Sequence, residues 1–155
     1  MGQSRKEVID LLYKPPPGQR QAIAVSRRTA EQLPPLPTVA MISITAPERA
    51  HAEVNGFTQL LRLSFADVDH LNTEISARAK AKIKNGFTMQ QAKEIHAFVR
   101  ALPPEICTVI VHCEGGYSRS CGVVLSLHHL YGFAVNMGSL AQANPSVVKT
   151  MESSR

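Results

Sequence analysis

The chain has 155 residues, enough for one domain that buries most of its apolar surface and too few for two comfortable ones. With 44 % hydrophobic and 19 % charged residues and no long apolar run, it reads as a soluble globular protein without a membrane span. The formal charge of +5 suits anionic substrates, but it is diffuse and lacks the aromatic interleaving of single-strand binders, so neither nucleic acid nor membrane is expected as a partner.

In chain order, residues 7–13 predict a short helix that ends at Pro15-Pro16-Pro17-Gly18, so residues 1–20 read as an arm or linker and 21–155 as the main domain. Residues 21–26 predict a strand and residues 28–33 a short helix stopped by Pro34-Pro35. Residues 39–45 predict a second strand, ended by Pro47, and residues 60–65 a third with one covered face. Ala92, Ile95, Phe98 and Val99 recur at helical spacing within residues 89–102, before Pro103-Pro104. The β-branched run Thr108-Val109-Ile110-Val111 predicts a buried strand, and Val123, Val124, Leu127 and Leu130 predict a helix over residues 121–131. This alternation predicts an α/β fold: an open, mostly parallel central sheet flanked by helices, with a ligand loop at a strand's carboxyl end.

Cys107, Cys113 and Cys121 make an odd count with no C-x-x-C spacing, so neither a disulfide framework nor a zinc site is expected. The opening Met1-Gly2-Gln3-Ser4-Arg5-Lys6 lacks the apolar core of a secretory signal, and Lys6 stands where a myristoylation site wants Ser or Thr. A cytoplasmic location is the default.

The chemistry concentrates in His112-Cys113-Glu114-Gly115-Gly116-Tyr117-Ser118-Arg119-Ser120, which joins the last strand to the helix after it. Amides of such a loop and of the first helical turn lack intrahelical partners and carry the positive end of the helix dipole, so they can hold a phosphate-like dianion. Cys113 sits at the rim of this cradle, where the same field favours thiolate over thiol. Arg119 supplies a planar fork suited to two oxygens of a tetrahedral oxyanion, and Gly115 and Gly116 let the amides turn inward. His112, just before the loop, points inward and hydrogen-bonds the loop backbone. In the plainer alternative, Cys113 is an ordinary buried small hydrophobe at a strand-to-helix turn.

These nine residues resemble the signature of the cysteine-dependent protein tyrosine phosphatases, and the Gly-x-Ser-Arg-Ser ending looks most like their dual-specificity branch. The resemblance runs from about Gln21 to Val148, and the segments Ile42-Ser43-Ile44-Thr45, Leu61 to Asp67 and the helix from Gln91 look most like a group of bacterial predicted tyrosine phosphatases. It implies a dual-specificity-phosphatase-like fold over residues 21–155 and hydrolysis of phosphomonoesters through a phosphocysteine intermediate. It further implies that Cys113 is the nucleophile, that Arg119 and the amides of residues 114–118 hold the phosphoryl oxygens, and that the Ser120 hydroxyl stabilises the departing thiolate. No cofactor is implied, and the partner is a phosphorylated protein or small phosphomonoester. Leu63-Ser64-Phe65-Ala66-Asp67 matches the strand and turn that deliver the family's general acid, which makes Asp67 the candidate, with Asp69 a competitor two residues on. Either aspartate also reads as a loop residue capping a turn.

Two residues depart from the family pattern. Glu114 follows the nucleophile, and a carboxylate pointing into the pocket would repel a dianion, so it and Tyr117 are expected to point outward to the rim. No aromatic loop of the kind that deepens a tyrosine-only pocket is recognisable, which points to a shallow site walled by Arg27 or by residues 73–87. Elsewhere, His128-His129 invites a metal reading, but adjacent helical residues do not face each other. Cys121 reads as a core residue or a partner for oxidised Cys113. Asn144-Pro145 reads as a turn or as a family landmark whose Asn positions water. A rhodanese-type sulfurtransferase carrying persulfide on Cys113, an arsenate reductase and a phosphopeptide-binding module without turnover would use the same cradle.

Overall fold

A computed structural model describes residues 3–69 and 85–155. Its strands are β1 (Gln21–Ser26), β2 (Val39–Thr45), β3 (Gln59–Ser64) and β4 (Thr108–Cys113), and they form an all-parallel sheet in the order β1-β4-β2-β3. The helices are α1 (Arg5–Tyr13), α2 (Arg27–Ala30), α3 (Met89–Arg100), α4 (Arg119–Tyr131) and α5 (Pro145–Ser153), with a 3-10 turn at Met137–Ser139. Among the described residues no helix is long and apolar enough to cross a membrane.

Every residue of β2 and of β4 is buried, as expected of parallel strands covered on both faces. Side chains alternate between the two faces. Ala22, Ala24, Ile42, Ile44, Val109 and Val111 meet Ile95 and Val99 of α3, Val124 and Leu127 of α4, and Met151 of α5. Ile23, Val25, Met41 and Ile110 meet Val8 and Leu12 of α1 together with Leu33 and Phe57. Each fully buried Ile or Leu contributes about 1.5–3 kcal/mol relative to exposure, so these two layers carry the fold.

The register brings one set of loops together. Ser26 pairs with Cys113, Ser43 with His112, and Thr45 with Ser64, so the segments after all four strands leave from the same edge of the sheet. β4 lies between β1 and β2, and at such a switch in strand order a crevice opens at the carboxyl ends.

Several elements differ from their sequence expectation. β4 runs two residues further, because His112 and Cys113 continue the ladder with Val25 and Ser26 of β1. β3 begins and ends one residue earlier, and as an edge strand it leaves Leu60, Leu61 and Arg62 only half-buried. The helix expected over residues 28–33 begins at Arg27, capped by the Ser26 hydroxyl, and ends at Ala30. The Asn144-Pro145 pair, legible as a turn, is the N-cap and first residue of α5. α5 packs so tightly on α4 that a Cβ at Gly122 would come within 2.9 Å of Val147.

Candidate active site

The loop between β4 and α4 is set by its glycines and by what surrounds it. Gly116 has φ +80°, and a Cβ there would stand 2.6 Å from the Ser26 amide nitrogen and the Val25 carbonyl carbon, so only glycine fits. Ser118, the N-cap residue of α4, makes no side-chain capping bond, which leaves the first-turn amides of the helix to an external acceptor. Its hydroxyl donates to Asp67 Oδ1 at 2.8 Å instead.

Cys113 is buried at the base of this loop. The Gly116 amide donates to its Sγ at 3.3 Å, and the buried Ser120 hydroxyl lies 3.2 Å from the same sulfur. Arg119 is also buried and donates from Nη1 to the Phe65 carbonyl at 2.9 Å, which turns the guanidinium toward the turn that bears Asp67. Its Nε is buried with no hydrogen-bond partner. An unmet buried donor on a permanent cation costs free energy until an acceptor arrives, and an oxyanion held by the loop amides is such an acceptor.

His112 lies wholly inside the protein. Its Nδ1 donates to the Cys113 carbonyl at 3.1 Å, which leaves Nε2 to accept from the Ser43 hydroxyl at 2.6 Å. Burial lowers its pKa below the usual imidazole value of 6.5, opposed by the bond to the Cys113 carbonyl, so the neutral ring is the favoured form. Ser43 is the polar residue that a reading of β2 as an apolar strand passes over, and only the register across to β4 gives it a role.

The two aspartates face different neighbours. Asp67 Oδ1 accepts from Ser118 Oγ and, at 3.0 Å, from Asn144 Nδ2. Asp69 accepts from Ser146 Oγ at 2.8 Å, at the start of α5. Asp67, Arg119, Glu114, Arg49, Pro47 and Asn85 line one cleft of about 450 Å³; Asp69 is not part of its wall, nor is Cys113, which is buried and not at the rim expected from the sequence. Of the wall expected from residues 73–87, Asn85 reaches this cleft, and residues 73–84 lie outside the described residues. The wall supplied by Pro47 and Arg49, from the segment after β2, had no sequence signal beyond the proline that ends the strand.

Glu114, in the wall of the same cleft, is paired with two arginines. Its carboxylate meets Arg27 Nη1 at 3.1 Å and Arg49 Nη2 at 3.6 Å. Tyr117 is half-exposed with its ring against Gly115. Cys121 is buried beneath the loop, its thiol directed to the Gly116 and Ser139 carbonyls at 3.3 and 3.4 Å. Burial, with the nearby Cys113 sulfur adding to it, pushes that thiol up to about 11. His128 donates to the Phe133 carbonyl and His129 meets Glu152 at 3.5 Å. Among the described residues no group of three His, Cys, Asp or Glu is placed to hold a metal ion.

No family model and no curated protein matches this chain. A solved structure described as Tk-PTP in the active form, a protein tyrosine phosphatase, is similar, with a TM-score of 0.51, 15 % identity, and coverage of 88 % of this chain and 91 % of that one. The four-stranded parallel sheet flanked by helices therefore has a protein-tyrosine-phosphatase-like fold.

Proposed function

We propose that the protein is a cysteine-dependent phosphatase that hydrolyses phosphomonoesters, phosphotyrosine first among them, with phosphoserine or phosphothreonine as further substrates. The observation that carries this reading is the buried, unpartnered Nε of Arg119 on the same loop as Cys113. The likeness in fold to a tyrosine phosphatase agrees with it. Residues 21–155 form the catalytic unit in this reading, with residues 1–20 as an arm whose helix rests on it.

The mechanism uses this chain's own groups. The phosphoryl oxygens sit on the amides of residues 114–118 and on the Arg119 guanidinium, which stabilise the charge carried through the transfer. The Cys113 thiolate attacks phosphorus, the bond to the leaving oxygen breaks, and the protonated Asp67 carboxyl gives that oxygen its proton. Water then attacks the phosphocysteine, Asp67 takes the water's proton, and the sulfur leaves as thiolate with the Ser120 hydroxyl, 3.2 Å away, donating to it.

The test is hydrolysis of p-nitrophenyl phosphate, inhibited by vanadate, compared with the Cys113→Ser variant. Turnover should fall by several decades while phosphopeptide binding persists, because the cradle is intact and only the nucleophile is gone. Activity of Cys113→Ser within about tenfold of wild type would sink the mechanism. Transfer of sulfur from thiosulfate to cyanide would replace it with a sulfurtransferase, and tight binding without turnover would make it a phosphopeptide module.

A further inference from the structure

We propose that Arg27 is a positioning residue that holds the Glu114 carboxylate off the oxyanion seat; the kinetic consequence rests on the phosphatase reading, while the binding test does not. Glu114 follows Cys113 directly, and an unrestrained carboxylate there would stand against any dianion bound by the loop. The sheet fixes where its counterion lies. Ser26 pairs with Cys113 across the β1–β4 ladder, so the next residue of each strand continues side by side, and the Arg27 amide donates to the Glu114 carbonyl at 3.1 Å. The Arg27 guanidinium then binds the same residue's side chain, Nη1 to Oε1 at 3.1 Å.

Arg27 is itself held on two other sides. Its Nη2 donates to the His51 carbonyl at 2.9 Å and its Nε meets Glu31 at 3.5 Å, with the side chain only 17 % exposed. Arg49 approaches the other Glu114 oxygen at 3.6 Å from a side chain that is 58 % exposed. Arg27 is thus the fixed arm and Arg49 the loose one. One arginine grips both the backbone and the carboxylate of the residue after Cys113, setting the course of the loop and neutralising the one carboxylate on it.

The test measures the seat without needing turnover. Iodoacetamide labelling is followed at Cys113 itself by peptide mass spectrometry, apart from the more exposed Cys107, and inorganic phosphate should slow it with a constant that reports affinity of the cradle for a dianion. Arg27→Ala should weaken that protection about three- to tenfold, and should raise KM for p-nitrophenyl phosphate more than it lowers kcat. Arg27→Ala/Glu114→Gln, which removes the charge as well as its partner, should regain most of the lost affinity. Arg27→Lys keeps the charge but not the three-way fork, so it should fall between wild type and alanine, which keeps the proposal testable if the alanine variant does not fold. A double variant as weak as Arg27→Ala, a lysine variant as weak as alanine, or an alanine variant that binds phosphate like wild type each overturns it. The same pattern in phosphate protection without hydrolysis of any phosphomonoester would keep this inference and remove the phosphatase reading.

Discussion

Asn144 donates from Nδ2 to Asp67 Oδ1 at 3.0 Å and to the Val68 carbonyl at 3.1 Å. The same residue's Oδ1 accepts from the amides of Ser146 and Val147, and its own amide donates to the Ser118 carbonyl at 3.0 Å. The buried side chain therefore joins the turn after β3 to the start of α5, and the backbone amide of the same residue ties both to the loop after β4. Asn144→Ala should cost about 1–3 kcal/mol in unfolding free energy, from the lost cap and the unsatisfied groups around it. It should also slow hydrolysis of a phenyl phosphate more than that of an activated aryl phosphate, because the acid loses its tether. Urea unfolding and steady-state kinetics on both substrates check this; equal slowing on both would reduce Asn144 to a structural cap.

Arg119 separates charge from geometry. Nη1 is fixed on the Phe65 carbonyl, and Nε is buried with no partner. Lysine keeps the charge and loses the planar fork, so Arg119→Lys should lose about 10²–10³-fold in kcat/KM, the scale of removing one preorganised oxyanion donor. Kinetics equal to wild type would put the oxyanion elsewhere.

Two buried histidines predict how stability depends on pH. His112 and His96 both have pKa values lowered from 6.5 by burial; for His96 the bond to the Met151 carbonyl opposes that shift. His96 Nε2 donates to that carbonyl at 2.9 Å, and its Nδ1 accepts from the Tyr131 hydroxyl at 2.6 Å. A depressed histidine contributes its full stability above 6.5; as pH falls below that value the unfolded chain takes up a proton that the folded one refuses. The urea midpoint should therefore drop between pH 7 and pH 5. His96→Gln, outside the site, should be less stable at pH 7.5 yet lose less on acidification. A wild-type midpoint flat over this range would refute the assignment.

What the sequence makes legible here is what lies close together along the chain. Cys113, the glycines and Arg119 fall within seven residues, and strand and helix periodicities on either side fix the direction of the loop. What it hides depends on register and on distant partners. Ser43 meets His112 only because β2 pairs with β4 at that position, and Arg27 meets Glu114 only because Ser26 pairs with Cys113. Asn144 reads from the sequence as a turn residue or as a landmark that positions water, and its contact with Asp67 stays hidden because the two are 77 positions apart. The edge position of β3 blurred its ends, since half-exposed Leu60 to Arg62 give a weaker alternation than the buried strands.

In the proposed mechanism, the choice of Asp67 over Asp69 as the acid rests on reach. Asp67 lines the cleft with Arg119, and its carboxylate is held by Ser118 Oγ at the start of α4, whereas Asp69 accepts from Ser146 on α5. A general acid matters in proportion to how poor the leaving group is. Asp67→Asn should cost about 10²–10⁴-fold with an alkyl or plain phenyl phosphate and much less with an aryl phosphate that departs without a proton. It should also lose the basic limb of the pH–rate bell, which records the need for a protonated acid. Asp69→Asn should keep the bell and be only modestly impaired, because it loses a contact to α5 and no proton donor. pH–rate profiles of both variants with two leaving groups decide between them. The reverse pattern moves the acid to Asp69, and leaving-group dependence in neither removes this turn from the chemistry.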